Sequence, residues 1–134
     1  MSRRRVIELA NVRHAAPIPT AVVIGNTLAT SALFGADQRT GTLPDDPSDE
    51  IACLFENVAT VVEIAGGSPG DVLRMDVLIR DNAVRELINR EWLRLYPDET
   101  DRPARHITVV PGLPASAQIE LIAILPAASI RETP

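Results

Sequence analysis

The stretch DPSDEIACLFENVATVVEIAGG, residues 46–67, decides the fold. Asp46 can cap a helix, Pro47 suits the first helical position, and Asp49 and Glu50 put negative charge at the positive helix start. Ile51, Leu54, Phe55, Val58, Val61, Val62 and Ala65 then recur at steps of three and four, one apolar stripe along one side. Gly66-Gly67 supplies the stop. The spacing predicts an amphipathic helix that must lie on another apolar layer. Working outward, Val72–Ile79 reads as a strand with Leu73, Met75, Val77 and Ile79 on one face and Arg74 and Asp76 on the other. Asp81 or Asn82 opens a second helix, whose buried stripe is Val84, Leu87, Ile88, Trp92 and Leu95. Tyr96–Pro103 is a polar, proline-bounded loop, and Ala104–Val110 and Ala117–Leu125 are strands on either side of Pro111-Gly112-Leu113-Pro114.

Upstream, Val6–Leu9 reads as a short strand, and the prolines of Ala15-Ala16-Pro17-Ile18-Pro19 suggest an extended edge. Ala21–Ile24 and Leu28–Ser31 flank Gly25-Asn26 and form a hairpin, and Gly35–Pro44 is a loop. The order is β-ββ-α-β-α-ββ. It predicts an α+β fold over a single domain, residues 1–134, with six strands in a mixed sheet and both helices on one face.

Composition narrows the chemistry. The net charge is −5, and aromatics make up 3% of 134 residues, which opposes nucleic acid as a partner. All 13 cations are arginines, so lysine Schiff bases and Walker-type lysines are excluded. Cys53 is the single cysteine, which rules out an intrachain disulfide and opposes a cysteine metal site. With only His14 and His106 besides, no metal and no cofactor is expected. The basic opening Met1-Ser2-Arg3-Arg4-Arg5 precedes a stretch too short and polar for a signal peptide. No run approaches ~18 uncharged apolar residues. The expectation is a cytoplasmic protein with no membrane contact.

Two side chains stand out. Glu120 sits in Ile119-Glu120-Leu121-Ile122-Ala123-Ile124-Leu125, the most apolar strand, where a carboxylate is costly unless it faces water, is paired or is functional. Arg105 shares a strand face with Ile107 and Val109, opposite His106. It reads either as a solvated arginine or as a bidentate carboxylate clamp. His106 reads as a packing or interface residue, and His14 has no partner in sequence. Ser31 lacks a nucleophile-elbow context, Trp92 and Tyr96 read as packing residues, and Cys53 as a structural thiol.

The ordered set of segments adds a resemblance. Pro17, Gly25-Asn26, Thr30-Ser31, Thr40-Gly41, Glu56-Asn57-Val58, Ala65-Gly66 and Asp71-Val72 lead to Pro103-Ala104-Arg105, Leu113-Pro114 and Ile119-Glu120. Over about residues 15–125 this resembles the Rid family of reactive intermediate deaminases, also called YjgF or L-PSP endoribonuclease-like proteins. The resemblance implies the small trimeric chorismate-mutase-like fold, a homotrimer with sites between subunits, and cofactor-free hydrolysis of a small 2-imino or enamine acid to a 2-keto acid and ammonia. It implies that Arg105 clamps the substrate carboxylate, Glu120 positions the attacking water, and Ser31 and Ala32 line the pocket. Ile18 stands where the family carries a pocket tyrosine, and Ile107 where many members carry cysteine. Ala32 and Leu33 replace a glycine and a glutamine. These changes make the pocket more apolar and keep open a second expectation, a non-catalytic carboxylate-binding trimer. A third, an endoribonuclease, is opposed by charge and composition.

Overall fold

Asp46 caps the long helix through its side chain, Oδ1 accepting from the Ser48 N–H at 2.8 Å. The computed structural model describes residues 3–127, so Met1 and Ser2 of the basic opening lie outside the described residues. Helix α1 runs Pro47–Ile64, and every member of the stripe read from Ile51 to Ala65 is buried. Helix α2 runs Arg85–Leu95, with Ile88 and Trp92 buried. Asp81 does open this region, but it caps a single 3-10 turn, Asn82–Val84, that precedes α2.

Beneath the helices lies one sheet built from β1 (Arg4–Ile7), β2 (Ala21–Ile24), β3 (Thr27–Thr30), β4 (Leu33–Phe34), β5 (Val72–Ile79), β6 (Ala104–Val109) and β7 (Ala117–Ile124). The strand order is β1-β2-β3-β7-β5-β6, and β4 also pairs with β7. Only β5 and β6 run parallel, joined by the α2 crossover. Gly25, at φ 60°, makes the β2–β3 turn that the Gly25-Asn26 dipeptide predicted.

Three details differ from the sequence reading. The two-residue β4 adds a strand, because the chain after Ser31 returns to β7 at Leu33↔Ile119 before it loops. Residues 15–19 join no strand. Leu73 is exposed (57%) while Val72 is buried, because the β5–β7 register shifts between Val72 and Arg74 and resets the alternation.

The sheet has one covered and one uncovered face. Ile119, Leu121 and Ala123 of β7 and Met75, Val77 and Ile79 of β5 point at the helices and are buried. On the other face, registered neighbours form rows across the strands. One row is Val6, Val22, Ala29 and Ile122, and a second includes Ile24 and Ile124. Val6, Ile122 and Ile124 are 55%, 39% and 40% exposed, an apolar surface larger than scattered single residues.

Two tethers fix the segment between β4 and α1. Asn57, buried in α1, donates through Nδ2 to Phe34 O (2.8 Å) and Ala36 O (2.9 Å) and accepts from Gln38 Nε2 (2.9 Å). Gly35 passes so close to α1 that a Cβ there would lie 2.2 Å from Glu50 O. Glu50 is itself buried and accepts from the Ser116 N–H at 2.9 Å, tying α1 to the approach to β7.

Candidate active site

The sequence-derived site residues fall into two groups on this sheet. Ser31 and Ala32 form the short excursion between β3 and β4, both of which pair with β7. Ala29 faces Ile122 and Leu33 faces Ile119, while Thr30 Oγ1 accepts from the Leu121 N–H at 3.0 Å. The excursion therefore lies beside Glu120. Ser31 N–H donates to Thr20 O at 2.9 Å, which places the segment after Ile18 against the same turn. Ile18 is exposed. Glu120 points to the uncovered face, in register with Asp76, which is itself in register with His106. Asp76 is engaged by Arg74 through two contacts, the shorter 2.9 Å. The out-of-place carboxylate of the apolar strand thus faces outward, toward whatever covers this face.

Arg105 forms the second group. Strand β6 is the free edge of the sheet, and Arg105 is registered with the buried Met75, so its side chain takes the helix side. The guanidinium lies over the Trp92 ring of α2, 4.7 Å from its centroid, within cation–π range. Ile107 lies on the same face and packs against the core. Burial first, and the positive charge of Arg85 second, push the Arg105 guanidinium below its ordinary pKa. Its Nη1 is buried with no hydrogen-bond partner among the described residues. A desolvated guanidinium with an unfilled donor is a receptor for an anion, and carboxylate geometry suits its fork.

Arg105 and Glu120 do not meet within a chain. They occupy opposite faces of the sheet on strands separated by β5, ~10 Å apart laterally at ~4.8 Å per strand. Sequence alternation located each face, but strand order was needed to see that the faces differ.

A cavity of about 180 Å³ opens behind Ala32. Its apolar walls include Leu9, Val12, Leu33 and Phe34. His14 joins the wall with its Nε2 2.6 Å from Ala32 O. A carbonyl can only accept, so Nε2 donates the hydrogen bond, and in the neutral ring Nδ1 presents a lone pair. That Nδ1 is buried without a partner among the described residues. His14 has no partner nearby in sequence, since the contact spans the β1–β2 connection and the turn after β3. Trp92, read as core packing, also serves as the platform for Arg105. Among the described residues no cluster of three or more His, Cys, Asp or Glu side chains could hold a metal ion. No described helix is long and apolar enough to cross a membrane.

The family described as Endoribonuclease L-PSP matches residues 10–126. A 2-iminobutanoate/2-iminopropanoate deaminase of Dermatophagoides farinae is 31% identical over 110 residues, covering 81% of this chain and 84% of the relative. Among solved structures, Escherichia coli TdcF with bound serine matches with a TM-score of 0.80 at 29% identity, covering 91% of this chain and 99% of that one. RidA from the Antarctic bacterium Psychrobacter sp. matches with a TM-score of 0.81 at 28% identity over 90% of this chain and 99% of that one. These neighbours have the chorismate-mutase-like fold that the resemblance implied.

Proposed function

The chain belongs to the Endoribonuclease L-PSP family, whose relatives near 30% identity include named imine deaminases, and from that premise we propose that it hydrolyses a 2-imino or enamine carboxylic acid to a 2-keto acid and ammonia without a cofactor. The buried, unpartnered Nη1 of Arg105 carries this reading. Such a donor calls for an anion, and the substrate of this reaction carries its carboxylate next to the reacting carbon. Fixing the carboxylate in the guanidinium fork therefore fixes the electrophile.

The two groups of site residues are complementary halves. One copy supplies Arg105 and Ile107 at the free β6 edge. A second copy supplies Ser31, Ala32, Glu120 and the nearby Ile18. The assembly that joins them is a homotrimer, and the uncovered apolar rows around Ile122 and Ile124 are the surface it buries. In the joined site Glu120 orients a water whose oxygen attacks the imine carbon. The nitrogen takes up the water's protons, the C–N bond breaks, ammonia leaves and the carbonyl forms.

A second reading, a carboxylate-binding trimer without turnover, is favoured by Ile18 and Ile107, which by the resemblance stand where the family often carries a tyrosine and many members a cysteine. One experiment separates the two. Ammonia release from 2-iminobutanoate generated in situ is measured for wild type and Glu120→Gln, with 2-oxobutanoate affinity by calorimetry. Deamination predicts turnover by wild type and its loss in Glu120→Gln with keto-acid binding retained. Binding without wild-type turnover leaves the receptor reading. Absence of binding overturns both.

A further inference from the structure

Two buried side-chain polar atoms among the described residues have no hydrogen-bond partner. One is the Arg105 donor already assigned to the substrate carboxylate. The other is His14 Nδ1, an acceptor, in the wall of the cavity behind Ala32. Of the other polar side chains of that wall, Arg13 is exposed and two are engaged. Asn57 uses both amide hydrogens on Phe34 O and Ala36 O, and Thr20 Oγ1 donates to Glu8 Oε1 at 2.6 Å. The cavity thus offers apolar walls, one unfilled acceptor and a volume of about 180 Å³. A dry apolar cavity of roughly 150 Å³ accepts benzene. Phe34 and His14 already meet edge to face, at 6.3 Å and 61°, so an aromatic guest finds ring partners on the wall.

Resting on the deaminase reading above, we propose that this cavity receives the substrate side chain, and that this side chain is a ring-sized aryl group bearing a hydroxyl. The ring fills the volume between Leu9, Val12, Leu33 and Phe34, and the phenolic O–H donates to His14 Nδ1. Ala32 belongs both to this wall and to the turn that lies beside Glu120, so the cavity and Glu120 flank the same turn. A methyl side chain leaves the cavity empty and the acceptor unfilled. The substrate class is therefore a 2-imino-3-arylpropanoate, hydroxylated on the ring.

The test compares kcat/KM for imines generated from alanine, phenylalanine and tyrosine, in wild type and two variants. Ala15→Phe adds bulk at an exposed wall position. His14→Phe keeps a ring but removes the acceptor. The expected order in wild type is tyrosine imine, then phenylalanine imine, then alanine imine. Ala15→Phe should lower the phenylalanine-to-alanine ratio at least ~10-fold. His14→Phe should lower the tyrosine-to-phenylalanine ratio by up to ~10-fold, the effect of one neutral hydrogen bond. If the alanine imine is turned over and neither ratio moves, the cavity assignment is wrong while the deaminase reading stands. If no imine is turned over, the deaminase reading fails and 4-hydroxyphenylpyruvate binding by calorimetry decides the cavity: weakening in both variants supports it, unchanged affinity overturns it.

Discussion

Replacing Asn57 by alanine tests whether its amide is what holds the β4 segment against α1. The side chain is 1% exposed and makes three hydrogen bonds. Truncation removes both donors to Phe34 O and Ala36 O and leaves two carbonyls in the interior without partners. Each stranded group costs ~1–3 kcal/mol, with partial relief from relaxation or an entering water. The expected loss is ~3–5 kcal/mol. At ~3–4 °C per kcal/mol for a chain of this size, that is a fall in Tm of ~10–20 °C. Gln38→Ala is the control. It removes two bonds, to Asn57 Oδ1 and to Thr60 Oγ1, from a half-buried position and should cost ~1–2 kcal/mol. Urea unfolding at fixed protein concentration, followed by the fluorescence of the sole tryptophan, Trp92, gives both values. If Asn57→Ala loses no more than Gln38→Ala, the two backbone carbonyls do not depend on this amide and the reasoning fails.

Gly35→Ala places a Cβ 2.2 Å from Glu50 O and 2.8 Å from Glu50 Cγ, so α1 must shift; its Tm should fall at least as far as that of Asn57→Ala, and an unchanged Tm would show that the loop can move away freely. The Cys53 thiol is held above its ordinary value by burial, then by the charges of Asp37, Glu56 and Asp49, outweighing Arg39. The thiolate is the reactive form, so alkylation should be slower than that of a free thiol at neutral pH and still climbing where a free thiol has levelled off; a rate equal to glutathione's across that range would contradict the burial.

Most of this architecture is legible in the chain because helix and strand periodicities report burial directly. The α1 stripe, the Asp46 cap and the Gly25 hairpin each follow from residue types at fixed spacing. What escaped depends on contacts between distant segments. β4 is two residues long and exists only because β7 offers a partner, and the bulge that turns Leu73 outward is a property of the β5–β7 register. The same division applies to the site. Arg105 and Glu120 are visible as a guanidinium on a strand face and a carboxylate in an apolar strand. Their separation onto two faces appears only once β5 is placed between them. His14 and Trp92 acquire roles only through Ala32 O and the Arg105 guanidinium, partners distant in sequence.

In the proposed site one copy contributes Arg105 and its neighbour contributes Glu120. Co-expression of Arg105→Ala with Glu120→Gln tests it, with each variant alone as the inactive reference. In a trimer assembled at random from equal amounts, a site is intact when a Glu120→Gln chain supplies the arginine and an adjacent Arg105→Ala chain supplies the carboxylate. About a quarter of the sites meet this condition. Ammonia release from 2-iminobutanoate should therefore return to ~25% of wild type in the purified mixed assemblies. If both residues acted within one chain, no mixed assembly would hold an intact site, and activity at the level of the single variants would contradict the account.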